Sequence, residues 1–208
     1  MYTILSSITG AAGNDFVAGT EADNTLSGLG GTDTAVYEGK MESYQLAFSA
    51  AGIVVGGAAT VEGTDTLFGI ERLQFSDKTV ELGMDTAAAQ VYRLYDAAFN
   101  RPSDETGLGF WVNAAQIGSL DEIAQNFMQS AEFEALYPAT SSARENIGKF
   151  YENVLDRPAD NEGLDYWVQM REGGTSMSAI LVAISESPEH QVLLTGQMTH
   201  GVTYIPFV

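Results

Sequence analysis

The chain has 208 residues, enough for one large or two small domains, and carries 28 acidic against 9 basic residues for a formal charge of −19. That balance makes nucleic acid and anionic membranes poor partners, since both demand basic patches. There is no cysteine, which removes disulfide and thiolate chemistry, and no stretch approaches the ~20 apolar residues that membrane insertion requires.

Residues 8–34 read as three consecutive nine-residue units, ITGAAGNDF, VAGTEADNT and LSGLGGTDT. One column is apolar (Ile8, Val17, Leu26), one is glycine (Gly10, Gly19, Gly28), and one is small (Gly13, Ala22, Gly31). A fourth column carries side-chain oxygen (Asp15, Asn24, Asp33). A fixed short period marks units that bury their apolar face only by stacking on neighbours. Each unit is expected to be a short strand holding the apolar residue, followed by a turn of small residues. Glycine serves where such a turn takes positive φ or where backbones crowd.

These units resemble the nonapeptide of the repeats-in-toxin (RTX) family, whose parallel β-roll holds calcium between stacked turns. The resemblance implies two nonapeptides per coil, so that turns eighteen residues apart stack on the same side. It implies one calcium site, formed by Asp15 with the carbonyls of Gly10 and Ala12, and by Asp33 with those of Leu29 and Gly31. Hard carboxylate and carbonyl oxygens suit that cation, which takes ~6–8 of them. The match is partial: the middle unit has Asn24 in the acid column, and Ala11, Thr20 and Leu29 replace the second glycine.

From residue 35 to 82 the pattern is β, with alternation in Tyr44–Phe48 and Ile70–Phe75, a short apolar run at Ile53–Val55 and a last strand at Thr79–Leu82. The run GTDTLFGIERLQFSDKTVEL resembles the segment that closes the β-roll beside RTX arrays. Asp65 and Asp77 within it are additional candidate calcium ligands, as is Asn24; the competing role for the two aspartates is capping their own turns.

After Gly83 the period changes to 3.6, and a second repeat appears. Val91–Val112 aligns without a gap on Ile147–Val168 at an offset of 56. Four helices per copy are expected: about 87–99, 104–116, 120–129 and 131–136, then 143–155, 160–172, 177–185 and 188–194. Asp104, Asp160, Ser119, Ser130, Ser176 and Ser187 stand at helix starts, and Pro188 at a first helical position. The doubled motif Arg-Pro-x-Asp-x-x-Gly-Leu-x-aromatic-Trp resembles an uncharacterised helical domain of bacterial secreted and surface proteins, itself likened to phycobilisome linker domains. Asp104 and Asp160 form a candidate ligand surface, set against the simpler role of N-caps. Trp111 and Trp167 read as core residues, with sugar stacking as the alternative, and Arg101 and Arg157 as bridges to carboxylates or carbonyls.

Catalytic signatures are missing. The two histidines, His190 and His200, sit near the C-terminus; there is no His-Glu-x-x-His, no Gly-x-Ser-x-Gly and no phosphate loop. The sequence thus predicts an α+β protein of two domains. A short parallel β-roll with β closing strands spans 1–84, and an all-α domain of two four-helix repeats (about 87–138 and 143–195) with a C-terminal tail spans 85–208. The expected function is a non-enzymatic, calcium-binding, secreted or cell-surface protein whose helical half binds an extracellular glycan or cell-surface protein. The N-terminus lacks a Sec-type signal; the resemblance implies type I export, and the tail THGVTYIPFV ends in apolar residues as such export signals do. An open first coil leaves a homodimer as an option. The rivals are an intracellular or periplasmic linker-type scaffold and an extracellular glycan hydrolase using carboxylates.

Overall fold

The protein is described by a computed structural model over residues 6–57, 62–155 and 157–207. It is a mixed α and β chain of two compact units, residues 6–83 with 200–206, and residues 84–199 with Phe207.

Among the described residues the first unit contains ten short strands: β1 (Ser6–Thr9), β2 (Phe16–Ala18), β3 (Asn24–Ser27), β4 (Thr34–Val36), β5 (Gln45–Ser49), β6 (Gly52–Gly56), β7 (Thr64–Phe68), β8 (Arg72–Gln74), β9 (Thr79–Glu81) and β10 (Val202–Tyr204). They form two five-stranded sheets, ordered β1-β3-β7-β6-β5 and β10-β9-β8-β4-β2. The chain alternates between the sheets: β1, β3 and β7 are parallel neighbours in one, and β2, β4 and β8 in the other. Ser6 pairs with Asn24 and Phe16 with Thr34, so the first two windings stack in an eighteen-residue register.

A third winding is delayed by an inserted antiparallel hairpin, β5–β6, and pairs Thr25 with Thr66 and Thr34 with Arg72. The apolar residue of each unit turns inward as the pleat requires. Val17, Leu26, Ala35, Leu67, Leu73 and Val80 are buried in one core. Antiparallel β9 and β10 complete the second sheet. The C-terminal segment therefore belongs to the β unit, whereas its sequence reads as a tail of the helical half. Its strand is only three residues long, too short to show a period.

The second unit has, among the described residues, eight helices: α1 (Ala87–Phe99), α2 (Glu105–Ala115), α3 (Leu120–Met128), α4 (Ala131–Leu136), α5 (Ala143–Leu155), α6 (Asn161–Glu172), α7 (Met177–Ser185) and α8 (Pro188–Leu194). Their starts are set by side chains that accept from orphan N–H groups of the first turn. Asp104 accepts from Gly107 N, Asp160 from Gly163 N, Ser130 from Phe133 N, Ser176 from Ala179 N and Ser187 from His190 N. Ser119 and Glu122 form a reciprocal capping box at α3. The helix α1 lies against α2, α5 and α7, and α3 against α7. The interior is dominated by Val91, Leu94, Phe99, Phe127, Ile147, Phe150, Ile180 and Leu181.

Candidate metal centre

The oxygen-bearing column of the repeats falls on two opposite series of turns. One holds Asp15 and Asp33, the other Asn24. In each series the backbone N–H of one winding donates to the column side chain of the next. Asp15 N donates to Asp33 Oδ1 at 2.9 Å, and Asn24 N to Asp65 Oδ1 at 3.1 Å. Asp33 N in turn donates to Glu71 Oε2 at 2.8 Å. The structure therefore places Glu71 below Asp33, and Asp65 below Asn24. Glu71 escapes sequence reasoning because the inserted hairpin hides the period. Its signal is positional: it precedes Arg72 as Asp33 precedes Thr34 and Asp15 precedes Phe16 in the aligned strands.

The glycine column exists for space. A Cβ at Gly10 would lie 2.7 Å from Asp15 Oδ2, and one at Gly19 would lie 2.6 Å from Asp65 Oδ2 and 3.1 Å from Asn24 Oδ1. At Gly28 it would run into Asp33 Oδ2 and the Gly69 carbonyl. Positive φ is carried instead by Gly13 (144°) and Gly31 (127°), and by Leu29 at 77°. Leu29 holds a conformation that costs an L-residue ~1–2 kcal/mol.

Asp15 is half-exposed and accepts from Ala11 N at 2.6 Å. Asp33 is fully buried, and its Oδ2 has no hydrogen-bond partner. Ala12 and Gly30 are bridged, and Gly13 N donates to Gly30 O at 2.6 Å, which holds the first two turns together. A carboxylate taken out of water with one oxygen unpaired costs several kcal/mol, and a cation repays that cost. The residues thus fit a hard divalent ion between the first two windings. Among the described residues no three histidine, cysteine, aspartate or glutamate side chains converge as a metal cluster.

On the opposite turns Asp65 is also fully buried with an unpartnered Oδ2. Burial pushes its carboxyl up to about 6, opposed by the Asn24 N–H and reinforced by Glu62 and Asp23. Burial and the neighbouring Asp65 charge raise Tyr37 in turn. Asn24 is satisfied: its Oδ1 accepts from Thr20 N at 2.6 Å and its Nδ2 donates to Ser6 Oγ. Asp77 sits in neither series; it accepts from Met41 N at 2.9 Å and anchors the loop before β5.

In the helical unit Asp104 and Asp160 cap α2 and α6 at 2.7 and 2.8 Å. Arg157 lies between Asp160, at 3.7 Å, and Glu189. Gly107 and Gly163 leave room for the capping carboxylates, with Tyr151 also against Gly163. Arg101 grips Glu132 through Nε and Nη2 at 2.7 and 2.9 Å, and Arg157 reaches Glu189 at 3.1 and 3.3 Å. Trp111 packs edge-on against Phe127, while Trp167 donates to the Tyr151 hydroxyl at 3.0 Å. The copies differ in burial: α2 buries Leu108, Gly109 and Val112, whereas α6 buries no residue and exposes Tyr166 and Met170.

Residues 124–194, from within α3 to the end of α8, match a domain of unknown function, DUF4214. No curated protein matches the chain. Among solved structures, the extracellular lipase LipA from Serratia marcescens is similar over 36% of this chain at 16% identity and a TM-score of 0.27. The aligned portion spans 15% of the lipase chain.

Proposed function

We propose that the β unit is a calcium-binding parallel β-roll of the RTX type, and that the protein works outside the cell with its helical unit as a non-enzymatic binding module. The observation that carries this reading is Asp33, a fully buried carboxylate with one oxygen on the Asp15 N–H and the other unpaired. The Asp15 and Asp33 carboxylates and the carbonyls of Gly10, Ala12, Leu29 and Gly31 would hold the ion. Calcium, when bound, supplies the positive charge that these stacked acidic turns lack, and binding free energy becomes folding free energy.

In a cytosol poor in calcium the roll is only marginally stable; outside, the bound ion holds its turns together. This suits type I export. Because Val202–Tyr204 are paired with β9 in the fold, the C-terminal segment is open to an exporter only before folding. The exposed Tyr166 and Met170 of α6 support a binding role for the helical unit, with an extracellular glycan or cell-surface protein as partner.

Calorimetric titration with calcium, paired with thermal melts, tests the site. Wild type should bind with measurable heat and gain about 2.7 kcal/mol of stability at a hundredfold excess over Kd. Asp15→Ala/Asp33→Ala should lose both responses. The same heat and the same rise in melting temperature in that double variant would retire the site. Export is tested separately by seeking the protein in culture supernatant with and without the last ten residues.

A further inference from the structure

We infer, resting on the reading of the helical unit as a binding module, that the exposed face of α6 docks an aromatic side chain. That side chain sits on a short, non-helical, basic segment of a partner protein. The two copies of the repeat differ at this face: the first has it occupied and the second does not.

At the offset of 56, Phe110 of α2 corresponds to Tyr166 of α6, and Trp111 to Trp167. The two ring pairs share one geometry, with centroids 4.9 Å apart in each and interplanar angles of 85° and 73°. In the first copy a third ring completes the arrangement. Phe207, which belongs to the helical unit, meets Phe110 edge-on at 5.2 Å and 88°. It is carried by residues 205–207 (Ile-Pro-Phe), which are neither helix nor strand, and proline disfavours helix at the residue before it. In the second copy Trp167 is the one ring, among the described residues, that lies against Tyr166.

The rest of the face is open as well. The helix α2 buries Leu108 and Val112, whereas their counterparts Leu164 and Val168 are half-buried. Tyr166 is 54% exposed, and Met170, one turn further along the same face, is 39% exposed. The bond from Trp167 Nε1 to the Tyr151 hydroxyl at 3.0 Å fixes the indole, so the ring pair is ordered before a partner arrives.

Residue chemistry selects the occupant. Where the first copy has Phe110 and Ala114, the second has Tyr166 and Met170. Tyrosine, tryptophan and methionine are enriched where proteins bind proteins, and a tyrosine hydroxyl is at ease in water while the site is empty. A sugar stacks on a flat ring platform, but these two rings stand at 73°, the arrangement that receives a third ring edge-on in the first copy. Glu162 and Glu172 of α6 are exposed and the chain carries −19, so basic residues flank the docked ring in the partner. One ring and its neighbours bury less than the ~1,200 Å² of small transient complexes, so binding is weak and rapidly reversible.

The peptide KKTYIPF, residues 203–207 of this chain behind two lysines, serves as the probe. Titrated into the full chain, it should shift the Trp167 indole signal in a nuclear magnetic resonance spectrum saturably. Replacing its phenylalanine by alanine should weaken binding about tenfold. In the protein, Tyr166→Ala should abolish the response and Tyr166→Phe should keep it. Phe110→Ala should leave it unchanged, with circular dichroism confirming that all three variants fold. The chain lacks cysteine, so Tyr166→Cys is the single thiol of its variant and should react with a bulky thiol reagent about as readily as Ile117→Cys, at a site 91% exposed. A silent Trp167 signal, equal binding of the alanine peptide, indifference to Tyr166→Ala or slow labelling of Tyr166→Cys overturns the inference. A glycan that shifts Trp167 where the peptide does not sinks this partner and spares the binding module; silence toward both removes α6 from that module.

Discussion

Replacing Gly28 by alanine probes the physical logic of the stacked turns most directly. The new Cβ would overlap Asp33 Oδ2 and the Gly69 carbonyl and lie 2.5 Å from Asp33 Cβ. Gly69 is backbone and Asp33 is fully buried, so neither neighbour can swing away. Overpacking alone costs ~1–3 kcal/mol. Displacing the Asp33 carboxylate also loses its 2.9 Å bond from Asp15 N, a charge-assisted bond of ~1.5–3 kcal/mol. The expected loss is about 3–5 kcal/mol, enough to unfold a marginal β unit. Gly10→Ala should cost less, because its main obstacle at 2.7 Å is the half-exposed Asp15 side chain. Gly30→Ala meets nothing within 4 Å and should be neutral or slightly stabilising. Urea denaturation followed by far-ultraviolet circular dichroism ranks the three. If Gly28→Ala melts within ~0.5 kcal/mol of wild type, the crowding argument is wrong.

Three further outcomes follow from named residues. Leu29→Gly should raise stability by about 0.5–1 kcal/mol, since it relieves a φ of 77° in a side chain that is 62% exposed; a loss would mean that the leucine packs against something. In calcium-free buffer stability should fall as pH rises from about 4 to about 6, because the folded Asp65 carboxyl, raised by burial, holds its proton where the unfolded one has released it. Asp65→Asn should flatten that slope, on the order of 1–2 kcal/mol, and pH-stepped urea curves unchanged by the substitution would refute the assignment. Asp104→Ala and Asp160→Ala should each cost ~1 kcal/mol as lost helix caps and leave calcium heats untouched; altered heats would make them ligands.

The sequence is most legible where a single residue type has a single local task. Asp104, Ser119, Ser130, Asp160, Ser176 and Ser187 mark helix starts because each oxygen meets an N–H of its own first turn, a matter settled within four residues. The nine-residue period is legible for the same reason, as a short repeat in an uninterrupted stretch; the eighteen-residue register comes from the family resemblance. What escapes depends on partners far along the chain. The third winding is split from the second by the β5–β6 hairpin, so Glu71 takes its place below Asp33 across 38 residues. The strand β10 gains its identity only from β9, 123 residues away at the Tyr204–Glu81 contact. Within the candidate site, the residue types in the columns are legible, but the orphaned oxygens of Asp33 and Asp65 are products of burial.

The helical repeat raises one last question, why two similar four-helix copies pack in one arrangement. Arg93, 1% exposed in the apolar face of α1, donates to Glu186 through Nε at 2.8 Å and Nη2 at 2.5 Å, and to the Met84 carbonyl at 2.8 Å. Beside it, both ring nitrogens of buried His190 face oxygen acceptors, Asp96 Oδ2 at 3.0 Å and the Ser185 carbonyl at 2.8 Å. The matching positions of the other copy hold Lys149, Gln129, Glu152 and Phe133, and there Lys149 donates to the Leu136 carbonyl while Phe133 stacks on Tyr137. The buried Arg93–Glu186 and His190–Asp96 pairs thus have no ionic counterpart at Phe133, which stacks on Tyr137. Docking α1 in the wrong place would strand a buried guanidinium, so the network selects a packing arrangement more than it adds stability. Glu186→Gln should then cost about 3 kcal/mol, whereas Glu132→Gln, which breaks the half-exposed pair with Arg101, should cost less than ~1 kcal/mol. Denaturation followed by the fluorescence of Trp111 and Trp167 reads both, and equal costs would show that burial of Arg93 carries no such weight.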